Sequence, residues 1–187
     1  MAAAADVLLV AFRWPEGDTA VLAAFAALGE SATMPTYRAI DGDAGRAWLA
    51  LADFDAGAVQ AALSPTLRDL KLVRLVRTRQ LPGASAGADA PLRYVVATDV
   101  DAVHEADFNA WYEQEHLAGL AGVPGTVRAA RLVDPAGSPR YHACYDLATL
   151  ATFNSPAWLA VRGTAWSSRV RPTFRNTSRT MYRRVDA

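Results

Sequence analysis

The two halves of this sequence carry the same succession of apolar runs, and this repetition constrains the fold more than any other feature. A segment of small and helix-breaking residues, 82–91 (PGASAGADAP), separates the halves. On each side of it, strand-length and helix-length runs follow in the order strand, helix, strand, strand, helix, strand. The chain is therefore expected to contain two copies of one α/β unit.

The boundaries of these elements follow from hydrophobic spacing and from the residues that end helices and form turns. The predicted elements of the first half are a strand at 7–14, a helix at 19–28, strands at 33–40 and 47–54, a helix at 56–63 and a strand at 70–81. Those of the second half are a strand at 92–98, a helix at 105–120, strands at 126–133 and 141–147, a broken helical region at 148–170 and a strand near 177–185.

Short similarities between the halves support a true repeat. Arg38-Ala-Ile-Asp41, a turn and an arginine match Arg131-Leu-Val-Asp134, a turn and an arginine. The order is that of the ferredoxin-like split βαβ unit, whose sheet has helices on one face only. We therefore predict an α+β fold with two ferredoxin-like βαββαβ repeats, 1–81 and 92–187, joined by a linker at 82–91. Packing of their uncovered sheet faces would form an intramolecular dimeric α/β-barrel.

Composition argues against several classes of partner. Acidic and basic residues balance at 19 each, so no strong field favours nucleic acid or an anionic membrane. The apolar run near the N-terminus is too short for a signal peptide or a membrane span, and the single cysteine, Cys144, suits a reducing compartment. These features predict a cytoplasmic protein that binds neither nucleic acid nor membrane. A homodimer is left open.

One segment has the character of a site, namely residues 107–116 (DFNAWYEQEH). On a helix, Phe108, Tyr112 and His116 recur every four residues, and Glu113 lies three residues before His116. A histidine held in this way could act as a base. The adjacent carboxylate and the helix C-terminus would both favour its protonated form, so they would raise its pKa. The alternative is a structural histidine that holds the helix against the sheet.

A family resemblance rests on the same segment. Phe108, the pattern Trp111-Tyr112-x-x-Glu115-His116 and the following 123–125 (VPG) resemble the signature helix and turn of EthD-like proteins of the dimeric α/β-barrel superfamily. The resemblance implies a site with His116 as the catalytic residue and Trp111, Tyr112 and Glu115 beside it on the helix. The helix at 19–28 lacks these residues, so the site of the first repeat is expected to be degenerate.

Two further residues are candidates for substrate binding. Arg131 lies on the same face of its strand as Ala129 and Val133. It could therefore project from an apolar face and bind an anionic substrate, or it could form a structural salt bridge. His142 shares a face with Cys144, which would suit a proton relay if that face lined the barrel. No second histidine lies at ligand spacing and no nucleotide-binding loop is present, so neither a metal nor a cofactor is predicted.

The leading functional prediction is a small-molecule enzyme. It would act on a small aromatic or carbonyl compound by proton transfer, as an isomerase, a decarboxylase or a cofactor-free oxygenase. The alternative is a non-catalytic small-molecule-binding or structural barrel. Because some superfamily relatives bind haem, axial ligation by His116 or His142 is a third option.

Overall fold

The computed structural model describes residues 5–28, 35–50 and 55–185. The elements of the first half are β1 (Ala5–Arg13), α1 (Thr19–Ala26), β2 (Thr36–Ala39), β3 (Ala44–Ala50), α2 (Ala56–Leu63) and β4 (Arg68–Pro82). Those of the second half are β5 (Leu92–Val100), α3 (Ala102–Trp111), a π-helical turn (Tyr112–His116), α4 (Leu117–Ala121), β6 (Thr126–Val133), β7 (Tyr141–Leu147), α5 (Pro156–Arg162), α6 (Ala165–Val170) and β8 (Phe174–Val185).

The strands form one closed barrel in the order β1-β3-β2-β8-β5-β7-β6-β4. Every neighbouring pair is antiparallel, and strands of the two halves meet at β2–β8 and at β4–β6. The two halves are thus joined edge to edge by backbone hydrogen bonds. The inner faces of the two sets of strands meet across the lumen, as predicted. The sequence did not specify the edge pairing that closes the barrel, which satisfies N–H and C=O groups that stacked sheets would leave open.

The core has three parts. The lumen is filled from both halves by residues such as Leu9, Leu75 and Tyr182. One outer layer packs α1 and α2 on the strands of the first half, and the other packs α3–α6 on the strands of the second half. Alternate residues of each strand therefore face either the lumen or a helical layer.

The predicted elements agree closely with the observed ones, with two exceptions. β8 starts at Phe174, and the broken helical region resolves into α5 and α6 with short 3₁₀ turns on either side. Parts of the predicted strands at 33–40 and 47–54 lie outside the described residues. Among the described helices, none has the length and apolar character to span a membrane.

The linker is fixed at its start. The backbone N–H groups of Gly83 and Ser85 donate to the carbonyls of Val127 and Thr126, both at 2.9 Å. A side chain at Gly83 would bring its Cβ to 2.0 Å from the Thr126 carbonyl oxygen, so this close approach requires glycine. These bonds hold the segment against the start of β6.

Candidate functional site

The helix that carries the predicted site contains a π-helical turn over Tyr112–His116. Hydrogen bonds in such a turn run from residue i to i+5, so the side chain of His116 lies over Trp111 as well as beside Tyr112. The imidazole stacks on the Trp111 ring at 3.9 Å between centroids and meets Tyr112 edge-on at 5.4 Å. Because π turns of this kind often occur at functional sites, the local geometry favours a role for His116.

Neither nearby glutamate faces His116. Glu113 forms an ion pair with Arg79 of β4, and Glu115 accepts a hydrogen bond of 2.7 Å from the Thr164 hydroxyl. The stretched turn directs both carboxylates to other elements. The predicted contact of His116 with Glu113 is therefore absent, and Glu115 serves to bind the start of α6.

The protonation state of His116 also differs from the prediction. Burial, followed by the positive charges of Arg171 and Arg162, lowers the pKa of His116 to about 3. The side chain is 7% exposed, so loss of hydration outweighs the favourable field of the helix C-terminus. His116 is neutral at physiological pH.

A small cavity of about 30 Å³ adjoins His116 between the helices and the outer face of the second-half strands. Its buried end is aromatic and is lined by Tyr94, Trp111, Tyr112, Tyr145 and Trp158. Its surface end is basic. The lining residues there are Arg162, Arg171, Phe174 and Arg179.

The basic end carries an unbalanced positive charge. Burial and then the like charges of Arg162 and Arg179 lower the pKa of the Arg171 guanidinium. Arg162 donates to the amide oxygen of Asn154 at 3.2 Å, which leaves its charge in place. Among the described residues, no carboxylate lines the cavity. This end is suited to an anion.

The buried end contains polar atoms without partners. Within the described part of the chain, the Nδ1 of His116 and the hydroxyl of Tyr145 are both buried and make no hydrogen bond. Burial raises the pKa of Tyr112 to about 12, and that of Tyr145 well above its ordinary value, so both phenols stay protonated. Unsatisfied groups of this kind cost about 1–3 kcal/mol each in a closed core.

Arg131 lies in the same layer, beside the cavity. Its guanidinium is 4.3–5.0 Å from the ring centroids of Phe108, Tyr112 and Tyr141, and it donates to the Asn109 side-chain oxygen at 2.7 Å. Among the described residues, no acidic side chain pairs with it. Arg131 is thus held by aromatic faces, not by the structural salt bridge that was one prediction.

His142 is on the other side of the sheet and lines the lumen. Its Nε2 donates to the Pro139 carbonyl at 3.0 Å, and burial lowers its pKa. Cys144 and Asp146 share this face, but Asp146 is bound by Arg93 and Arg128. In the described residues, no three histidine, cysteine or acidic side chains are placed to hold a metal ion.

Haem does not fit either histidine as the side chains stand. The cavity at His116 has about the volume that one water molecule takes in the liquid. The lumen space beside His142 measures about 240 Å³, below the range of cofactor pockets. The third option, axial ligation of haem, therefore finds no support.

The structure thus brings His116, Trp111 and Tyr112 into one cavity wall, and it places Glu115, Arg131 and His142 elsewhere. Sequence reasoning missed the residues contributed by other elements, which are Tyr94, Tyr145, Trp158, Arg162, Arg171 and Arg179. The arginines lie in a locally Arg-rich stretch, but nothing in their spacing indicates that they converge on His116.

Comparisons with known proteins identify the fold. A protein of Fusobacterium nucleatum provisionally named a monooxygenase is 9% identical, with a TM-score of 0.73, over 100% of this chain and 94% of that one. A protein provisionally named a chlorite dismutase is 16% identical, with a TM-score of 0.66, over 98% and 96%. A heme-degrading enzyme of Listeria monocytogenes is 8% identical, with a TM-score of 0.61, over 95% and 98%.

No protein-family model and no curated protein matches the sequence. At these identities the structural likeness establishes the fold alone. The eight-stranded antiparallel barrel with helices on its outer face is the dimeric α/β-barrel fold.

Proposed function

We propose that this chain is an EthD-like enzyme that acts on a small aromatic or carbonyl compound by proton transfer at His116. The observation that carries the proposal is a cavity lined both by His116, whose buried Nδ1 has no hydrogen-bond partner among the described residues, and by three arginines, with no described carboxylate in its wall. Small-molecule chemistry also appears in the names of proteins that share the fold.

The arrangement suits removal of a proton from carbon. A carbon acid next to a carbonyl would give its proton to the neutral imidazole, and the C–H electron pair would move to the carbonyl oxygen as an enolate. The positive charges of Arg162 and Arg171 would stabilise that oxygen in a site of low polarity. Isomerisation, decarboxylation and cofactor-free oxidation can all proceed through an anion of this type, so the proposal concerns their shared step.

A bound anion would also make His116 a better base. The charges of Arg171 and Arg162 contribute to the low pKa of the free protein. An anionic group on these arginines offsets their field and raises the pKa of His116 toward its ordinary value. Substrate binding would therefore activate the base.

Entry of a substrate requires the cavity to widen. Residues 150–173 carry Trp158, Arg162 and Arg171, and they consist of two short helices between 3₁₀ turns. We propose that this segment moves outward to admit the ligand, because it covers the cavity from the solvent side with only short elements.

The chain organisation belongs to the same proposal. Each half contributes four neighbouring strands to the barrel in the same relative order, which supports two ferredoxin-like repeats at 1–81 and 92–187 with a linker at 82–91. The first repeat would have a degenerate site and act as the built-in partner of the second. Glu115, Arg131 and His142 remain proposed substrate-binding residues. Glu115 would contribute by holding α6 in place, and Arg131 by holding the ring of Tyr112.

The test is catalysis of hydrogen exchange at carbon. We expect the protein to accelerate deuterium uptake next to the carbonyl in at least one member of a panel of aryl ketones that carry a carboxylate, in D₂O, followed by proton NMR. His116→Gln should slow it by about 10²–10⁴-fold. His104→Gln is the matched control, since His104 is exposed on the same helix. Equal rates in wild type and His116→Gln would contradict the assignment.

A second candidate is a non-catalytic binding or structural barrel. It is favoured by the small volume of the cavity and by the close stacking of His116 on Trp111. It predicts that His116→Gln lowers the melting temperature, and that no panel compound exchanges faster with the protein than without it.

A further inference from the structure

The barrel lumen contains a second cavity, separate from the one at His116. It measures about 240 Å³ and lies on the inner face of the sheet. Strands of both halves contribute to its wall, among them β1, β3, β4, β5, β7 and β8. Since the proposed function does not use this space, its chemistry can be considered by itself.

The deep part of the lumen cavity is apolar and aromatic. Leu9, Val95 and Ala97 are each at most 8% exposed. Trp48 and Tyr182 line the same space, with their rings edge to face at 6.0 Å. Such walls accept an aromatic ring.

Trp48 is held rigidly in the wall of the lumen cavity. Its indole N–H is buried and, among the described residues, has no hydrogen-bond partner. The indole is held in place by Tyr37 at 5.5 Å and by the Arg93 guanidinium at 4.5 Å from its ring centroid. The indole is therefore a rigid aromatic surface at the wall of the lumen cavity.

The mouth of the cavity is cationic. Lys71 is exposed at the mouth, and Arg46 is half-buried there with a hydrogen bond to its own neighbour, the Gly45 carbonyl, at 2.7 Å. The one carboxylate in the wall is Asp134, whose oxygen accepts the backbone N–H groups of residues 136 and 137. Among the described residues, neither Lys71 nor Arg46 forms a salt bridge, so the mouth carries a net positive charge.

Volume limits the size of the occupant. An apolar protein cavity of about 150 Å³ accepts benzene, so the lumen cavity has room for one ring and a group the size of a carboxylate. The ring would lie against Trp48 and Tyr182, and the anionic group would meet Lys71 and Arg46.

We infer that the barrel lumen is a binding site for a monocyclic aromatic carboxylate. The site belongs to the closed barrel as a whole, because β1, β3 and β4 come from one half and β5, β7 and β8 from the other. His142 of β7 lines the same cavity. This predicted binding residue would therefore contact a ligand in the lumen and not one in the His116 cavity.

Benzoate and its neutral analogue benzamide are suitable probes for isothermal titration calorimetry. We expect the full chain to bind one benzoate with a dissociation constant of about 1 mM or lower. Benzamide and Lys71→Met should each weaken binding about tenfold. Arg74→Met is the matched control, since Arg74 is exposed on the same strand and pairs with Asp6 outside this cavity.

Two further variants locate the ligand. Ala97→Leu fills the lumen cavity and should abolish benzoate binding while circular dichroism remains unchanged, whereas Arg171→Met at the His116 cavity should leave binding intact. No binding by the wild type, or binding that responds to Arg171→Met and not to Lys71→Met, would overturn the inference. The exchange assay at His116 is independent of either result.

Discussion

The two helix-covered faces of the barrel differ in polarity, although in each of them helices bury the outer face of the strands. The layer of the first half is closed by aliphatic and aromatic residues, and its indole donor, Trp14, is bonded to Asp18 at 2.9 Å. The layer of the second half contains His116, Arg131 and Tyr145, each with a buried polar atom that makes no hydrogen bond among the described residues.

The difference teaches that the fold alone does not require polar groups in this layer. Apolar residues suffice to bury one face of the sheet, at about 25 cal/mol for each Å² removed from water. Unsatisfied polar atoms act against that gain by about 1–3 kcal/mol each. Among the residues that the structure describes, such atoms occur in the second layer and not in the first, which is the reason for treating the second layer as a site and the first as a structural partner.

The strongest test of this comparison places a histidine in the first layer and a phenylalanine at His116 in the second. Phe25→His places a polar ring in the first layer, where Phe25 is 3% exposed against Phe12, and should destabilise the protein by about 3 kcal/mol or more. His116→Phe should change stability at neutral pH by less than about 1 kcal/mol, since Nδ1 has no partner to lose and the ring can still stack on Trp111.

Urea unfolding of the two variants and the wild type measures both effects. If His116→Phe costs as much as Phe25→His, then His116 has a structural partner and the polarity of the second layer is not a mark of function. Phe25→Leu serves as the control for simple loss of aromatic area, and should cost less than Phe25→His.

Much of the architecture follows from the sequence because its signals are local. Alternating strands, turn segments such as 134–139 and the helix-starting pair Ser155-Pro156 each specify their own element. The repeated order then limits how eight strands can pair. The pairing of sheet edges was not predicted, since it depends on contacts between residues far apart in the chain, as between β2 and β8.

The candidate site was predictable only where it lies on one helix. The aromatic and histidine pattern at 111–116 gave three of its residues. The π-helical turn has no recognised sequence signal, and a regular 3.6-residue turn led to the wrong neighbour, Glu113, for His116. Burial then reversed the expected charge of the histidine, because it depends on how α5 and α6 cover the helix.

The second prediction uses pH to sharpen the contrast between the layers. Because the pKa of His116 falls from 6.5 to about 3 on folding, the unfolded chain binds more protons below pH 6.5. Stability is therefore lost as the pH falls from about 6.5 toward 3, by about 2 kcal/mol at pH 5 from this residue. His116→Phe should remove that part of the loss.

This loss is measured as the difference between the unfolding free energies at pH 7 and pH 5, for wild type, His116→Phe and His104→Gln. His142, whose pKa burial also lowers, contributes in all three proteins and cancels in the differences. An equal loss in wild type and His116→Phe would mean that His116 is accessible enough to be protonated in the folded state.

The smallest effect comes from a pair of helix caps, one in each layer. Asp55 accepts the Ala58 N–H at 2.8 Å at the start of α2, and Ser155 accepts the Trp158 N–H at 3.2 Å at the start of α5. Replacing either with alanine should cost about 1 kcal/mol.

Only Ser155→Ala loosens a helix that covers the His116 cavity. It should therefore speed hydrogen exchange at the His116 ring carbon C2 by about fivefold, measured by mass spectrometry, while Asp55→Ala leaves that rate unchanged. Equal rates in both variants would mean that α5 does not control access to the cavity, and that another element of the second layer must open for a ligand to reach His116.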